Sequence, residues 1–380
     1  MDLKDDVVRL YVKRFVIPKA LIFDKPCFVD FKISGKTNVF ARQLLVPESF
    51  FVELEKAIVE KYGFAGKAAM YSIGKKFGYS FSQLGRFENI KDHPGEAVKD
   101  WIIIASKFVE GTYASEIKQS INLDVKTVDY TLKNFVICRK LGYDFFLATG
   151  GAAGVIAWLL QDKNIEGYYY ENKFDNSEHT CKIKCAPYEL LKEIGQNDVF
   201  KEQDLEGLNQ DIGQYLKFNT EVIVSYKKSF SNYLDAKIFK YQNGIITYNA
   251  ERFFLMEVSA LYLLELGLRE RQMDGIIFDI AFGVGNKLFA EFGPKNIQST
   301  LELLAALGWG EILLLPNSKG KLQIAINHFP WTKWYKEVNF TVITGFLSGI
   351  FSKIHGRAVK FEKPVIDINN GYLALFCREI

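Results

Sequence analysis

Apolar positions along this chain repeat at two spacings, and the alternation between them predicts the elements. After Leu45–Phe51 (LVPESFF), the run VELEKAIVEKYG has helical periodicity. AAMYSIGKKFG, closing on Gly78, and AVKDWIIIASKFVEG, closing on Gly111, read as two further helices. Period-two runs then take over: YASEIKQSINLDVKTVDYTL predicts a hairpin turning at Asn122-Leu123-Asp124. The apolar helix opened by Thr149-Gly150-Gly151-Ala152-Ala153-Gly154-Val155 follows, then strands in IEGYYYENKF and HTCKIKC.

The same succession recurs in the second half. Thr247–Phe254 (TYNAERFF) leads into LMEVSALYLLELG, with Ser49 and Asn249 as matched polar helix starts. FDIAFGVGNKLFAEFG ends at Gly293, and QSTLELLAALGWG ends at Gly310. A hairpin in EILLLPNSKGKLQIAINHF, the helix opened by Thr344-Gly345-Phe346-Leu347-Ser348-Gly349-Ile350, and strands in AVKFEKPVIDI and YLALFCREI complete it. Gly74 pairs with Gly285 in this reading, and Gly111 with Gly310. β-rich lead-ins, Phe28–Val46 and Glu221–Thr247, precede the copies, and the polar run Gly195–Gln214 reads as a linker. The loop Gly85–Gly95 reads as an insertion in the first copy. The expectation is an α+β protein of two tandem modules, 1–197 and 198–380, each a small antiparallel sheet packed by helices and paired as a pseudo-dimer.

Composition narrows the function classes. The net charge of +3, from 48 basic and 45 acidic residues without a basic stripe, argues against nucleic-acid binding. Five cysteines in 380 residues make no disulfide framework, and the start MDLKDDVVRLYVKRF has no signal-peptide core, so a reducing cytoplasmic compartment is expected. Phe145–Leu160 and Ile276–Val284 are too short to span a membrane. The 32 Phe and 19 Tyr supply enough ring surface for a thick core or an apolar pocket.

The order of landmarks, RQLLVPESFF and MYSIGKKFG in the first half and ALGWGEILLL and TGFLSGIFSKIHGRAVKFEK in the second, resembles the 4-vinyl reductase domain family, whose fold is shared with TRAPP vesicle-tethering subunits. The resemblance spans about 45–190 and 245–380, with diffuse motifs of Gly and apolar positions. It implies an apolar cavity between sheet and helices, and sensor or adaptor roles. The zinc site found in many members departs here: Phe174 stands about where an earlier Cys would be, and Cys377 is alone in the second half.

Candidate chemistry is sparse. His179, Cys181 and Cys185 would share one face of a strand and are the best metal set, zinc being the metal that N/S ligands favour, although an ordinary strand with two buried thiols explains them better. Gly283-Val284-Gly285 lacks the third glycine of a dinucleotide fingerprint, and Gly66-Lys67 is no phosphate loop. The four histidines, His93, His179, His328 and His355, assemble no catalytic set. His328-Phe329-Pro330-Trp331-Thr332-Lys333-Trp334-Tyr335 would roof a pocket, anchor a partner or fold onto its own core. The resulting expectation is a non-catalytic binding protein for an acyl or aromatic ligand, lined by Phe50, Phe51, Tyr71, Phe253, Phe254, Phe282, Trp309, Trp331 and Phe346, without a required cofactor. The alternatives are a ligand-free protein-interaction scaffold, possible as a homo-oligomer, and an enzyme of tetrapyrrole or aromatic metabolism.

Overall fold

A computed structural model describes residues 17–378 except 35–38, 86, 93–94, 96, 137–144, 176–177, 196–198, 206–223, 243–244, 293–295 and 316–321, and, before residue 17, positions 7, 10, 11 and 15 alone. The chain is a mixed α/β protein of several small antiparallel sheets packed by helices. Its centre is a sheet to which both halves contribute. Strands β1 (Leu21–Ile22), β2 (Asp30–Ser34) and β3 (Val39–Pro47) come from the first half. Strands β8 (Lys240–Gln242), β9 (Ile245–Tyr248) and β10 (Glu251–Glu257) come from the second, and the order is β1-β2-β3-β10-β9-β8. β3 and β10 run antiparallel with Leu45 opposite Leu255, Leu44 opposite Met256 and Val46 opposite Phe254.

Both central strands are buried along their shared length, so their polar side chains must find partners inside the protein. Arg42 Nη2 donates to the carbonyls of Cys27 (2.9 Å) and Gly308 (3.2 Å). Arg252 donates to the carbonyls of Asn134 (2.6 Å) and Tyr113 (2.9 Å). Each arginine thus reaches a carbonyl in the opposite half and ties the halves together.

In the first half β3 runs into α1 (Glu48–Leu84), then α2 (Ala97–Thr112), β4 (Glu116–Asn122), β5 (Thr127–Lys133), α3 (Phe146–Leu159), β6 (Ile165–Asp175), β7 (Glu178–Pro187) and α4 (Tyr188–Gly195). α1 breaks at Gly63, whose φ of 56° and ψ of −128° suit only glycine. In the second half β10 leads to α5 (Ser259–Glu270), α6 (Gly275–Phe292), α7 (Ile297–Leu304), β11 (Glu311–Leu314), β12 (Gln323–Asn327), α8 (Thr341–His355), β13 (Lys360–Phe361), β14 (Val365–Asp367) and β15 (Tyr372–Arg378). Outer sheets run β4-β5-β7-β6 in the first half and β11-β12-β15-β13 in the second, with β14 also on β15.

Glycines let one helix pair in each half touch backbone to backbone. An added Cβ on Gly150 would stand 2.0 Å from the Tyr71 carbonyl, and one on Gly154 would stand 2.1 Å from that of Lys75. In the second half a Cβ on Gly349 would stand 2.0 Å from the Phe282 carbonyl. A buried carboxylate caps the inner helix of each pair: Glu55 accepts from Phe146 N (2.8 Å), and Glu265 from Thr341 N (2.9 Å).

Several expectations shift. Gly285 lies against the Phe346 carbonyl as Gly78 lies against that of Gly151, so the partner of Gly285 is Gly78, not Gly74. Asn249 starts no helix: it sits at φ 50° in the turn before β10, so Phe253 and Phe254 lie in a strand while Phe50 and Phe51 lie in α1. The expected second lead-in is partly helical, because Ser229 and Asn232 cap a short helix at Phe230–Asp235, and residues 221–223 lie outside the described residues. Most of the linker, the tip of the second hairpin, Cys138 and His93 also lie outside them.

Candidate ligand cavity

An apolar cavity of about 180 Å³ opens inside the first half. The second segment of α1 supplies Ile73, Phe77 and Phe81, and α2 supplies Ala105, Ser106, Phe108 and Val109. Leu147, Ala148, Gly151, Ala152 and Val155 of α3 form a wall of mostly small residues, and Ile117, Tyr130, Leu132 and Ile183 of the outer sheet form the floor. Phe254, Met256 and Ala260, from β10 and α5, close it from the other half.

Among the described residues no Asp, Glu, Lys, Arg or His lines this cavity. Its polar side chains are Ser106, Tyr113 and Tyr130. The Ser106 hydroxyl donates to the Ile102 carbonyl at 2.7 Å and lies within hydrogen-bonding reach of Tyr130. Burial pushes both tyrosines above their ordinary range, so both hydroxyls stay protonated. The Tyr113 hydroxyl has no hydrogen-bond partner among the described residues.

A smaller cavity of about 30 Å³ occurs in the second half, lined by Leu44, Tyr262, Glu265, Trp309, Phe340 and Ile343 among others. It has room for about one water molecule.

Of the ligand-lining residues expected from sequence, Phe254 lies on the larger cavity and Trp309 on the smaller. Phe50, Phe51, Tyr71, Phe253, Trp331 and Phe346 are buried in the core away from both, and Phe282 is half-buried on α6. The aromatic loop folds onto its own core: Trp331 packs against Phe329, Tyr335 and Phe340. Small residues, Ala148, Gly151, Ala152 and Ala260, define the cavity, and aromatic positions in the sequence do not point to them.

His179, Cys181 and Cys185 share the inward face of β7, as the period-two reading expected. The His179 ring bonds to Asn172, and burial pushes the Cys185 thiol up, so that sulfur stays protonated. Among the described residues no three His, Cys, Asp or Glu side chains are grouped as a metal ion requires.

A second polar group, missed in the sequence, is a buried cluster behind α1. Lys75 Nζ meets Glu166 at 2.8 Å and donates to the carbonyls of Lys163 (3.0 Å) and Glu202 (2.6 Å). The Tyr71 hydroxyl donates to Glu166 at 2.7 Å and accepts from Gly167 N. Burial pushes Lys75 down and Glu166 up, and their mutual attraction opposes both shifts. None of the three lines either cavity, and the cluster ties Glu202, in the segment 199–205, to α1 and β6.

No family model matches the chain, and no curated protein matches it. A solved structure, the phenol-responsive sensory domain of the transcription activator PoxR with phenol, aligns at 14% identity, covering 50% of this chain and 92% of that chain, with a TM-score of 0.33. At that score the likeness bears on neither the fold nor the function of this chain. No helix among the described residues is long and apolar enough to cross a membrane.

Proposed function

We propose that this protein binds one small, uncharged, apolar molecule in the first-half cavity, as a ligand-binding rather than catalytic protein. The cavity carries this reading. Interiors are close-packed, and an empty void forfeits about 24 cal/mol per Å³, which for about 180 Å³ is roughly 4 kcal/mol. A ligand would restore those contacts. Apolar cavities of about 150 Å³ accept benzene, so a single aromatic ring or a short acyl segment fits. A carboxylate or ammonium group is disfavoured there, because no charged side chain among the described lining residues would compensate its desolvation.

The matched order of elements in the two halves, and the Leu45–Leu255 register at the centre, support descent from two tandem copies of one module. The resemblance to 4-vinyl reductase domains rests on the sequence landmarks and belongs to the same proposal. A sensor or adaptor role is compatible with β10 and α5 closing the cavity, since a ligand there touches both halves.

Thermal melts with toluene and with benzoate test the reading. Toluene at 100 times its Kd is expected to add about 2.7 kcal/mol of stability, with no shift from benzoate. Equal shifts, or none with toluene, indole or octanol, would remove it.

A further inference from the structure

Gly151 stands apart from the glycines around it. A Cβ on Gly74, Gly78, Gly150 or Gly154 would strike backbone at 2.0 or 2.1 Å, whereas one on Gly151 meets nothing nearer than the Gly74 carbonyl at 3.8 Å. Helix packing therefore does not require glycine at this position. What its missing side chain leaves is cavity space.

Phe346 occupies the matching place in the second half. It follows Gly345 as Gly151 follows Gly150, and its carbonyl meets Gly285 as that of Gly151 meets Gly78. Across the central sheet, Leu45 lies opposite Leu255, which matches Ala260 of α5 with Phe50 of α1. Ala260 and Gly151 border the larger cavity; the rings of Phe50 and Phe346 lie 5.5 Å apart, and Phe346 also packs on Trp309 at 5.7 Å.

We propose that Gly151 and Ala260 set the size of the ligand that the first half accepts, while Phe346 and Phe50 fill the matching space in the second half as built-in plugs. The chain then carries one open site and one closed by its own rings, each fitted to a benzene-sized group. This rests on the reading of the larger cavity as a ligand site.

The test is uptake of fluorobenzene by the full-length chain, counted by fluorine NMR. Wild type should take one equivalent. Gly151→Phe should lose that uptake, and the helix contact should survive, because the second half already holds a phenylalanine there. Phe346→Ala should take a second equivalent while keeping the first; if that variant does not fold, Phe50→Ala serves in its place. Unchanged uptake by Gly151→Phe, or a single equivalent in a folded Phe346→Ala, overturns the proposal. Should wild type take none, the function proposed above fails; uptake of one equivalent by Phe346→Ala would then still support the plug, and none would refute it.

Discussion

The first half is hollow where the second is filled, and charged where the second is aromatic. Gly150 faces the backbone of Tyr71 and Lys75, and Gly345 faces that of Phe278 and Phe282, so these residues stand in matching places. In the first half the cluster is an ion pair with a tyrosine; in the second, Phe278 and Phe282 stack, with the Lys360 ammonium over the Phe278 ring at 5.0 Å. Two close helix contacts thus accept two different solutions. Buried ion pairs are often replaceable by apolar groups of similar volume, although removing only one partner is severe.

The largest expected effect follows from that asymmetry. Glu166→Ala leaves Lys75 buried without its carboxylate and should lose about 3–5 kcal/mol in urea denaturation. Replacing the set together, Tyr71→Phe with Lys75→Met and Glu166→Leu, should recover most of the loss. A single variant losing under about 1 kcal/mol would show that the pair contributes little in either direction.

Next in size is the contrast between plug and hollow. Phe346→Ala should lose about 3–5 kcal/mol, since the vacated space is walled by Phe50 and Trp309. Gly151→Ala should instead gain about 0.5–1 kcal/mol, because its Cβ has room and alanine favours the helix. Gly150→Ala, one residue away, should lose about 1–3 kcal/mol because its Cβ meets the Tyr71 carbonyl. Thermal melts of the three variants side by side measure this, and similar behaviour of Gly150→Ala and Gly151→Ala would break the distinction between packing glycine and cavity glycine.

The sequence made the helices, the hairpins and the matched Gly-rich pair at Thr149 and Thr344 legible, because local periodicity and glycine spacing carry them. Phe253–Leu268 was harder. It is apolar almost throughout, so no period marks where β10 ends and α5 begins, and the polar Asn249 resembles a helix start although it lies in the turn before β10. The pairing of β3 with β10 joins strands distant in the chain, and no local signal encodes it. The cavity was illegible for a different reason. It is an absence, defined by Gly151, Ala148 and Ala260, while the conspicuous rings of Phe50, Trp331 and Phe346 pack the core. Lys75 and Glu166 look like ordinary surface charges until α1 and β6 meet.

The smallest expected effect concerns the capping carboxylates, which sit equally far beyond Leu45 and Leu255. Burial raises Glu265 above the usual carboxylate range, although the amides of Asn339 and Thr341 at the start of α8 pull it back. The sign of the linkage follows. A carboxylate with a raised folded-state pKa contributes most when protonated, and that contribution declines as pH rises from the unfolded carboxylate range through the folded value. Glu265→Gln has no such titration. At low pH, where both side chains are neutral, the variant should differ from wild type by less than about 1 kcal/mol. As pH rises through the folded value, its stability relative to wild type should improve. Urea melts across that window decide the matter: a relative stability that falls with pH would mean that the helix terminus holds the charged form more strongly than burial opposes it.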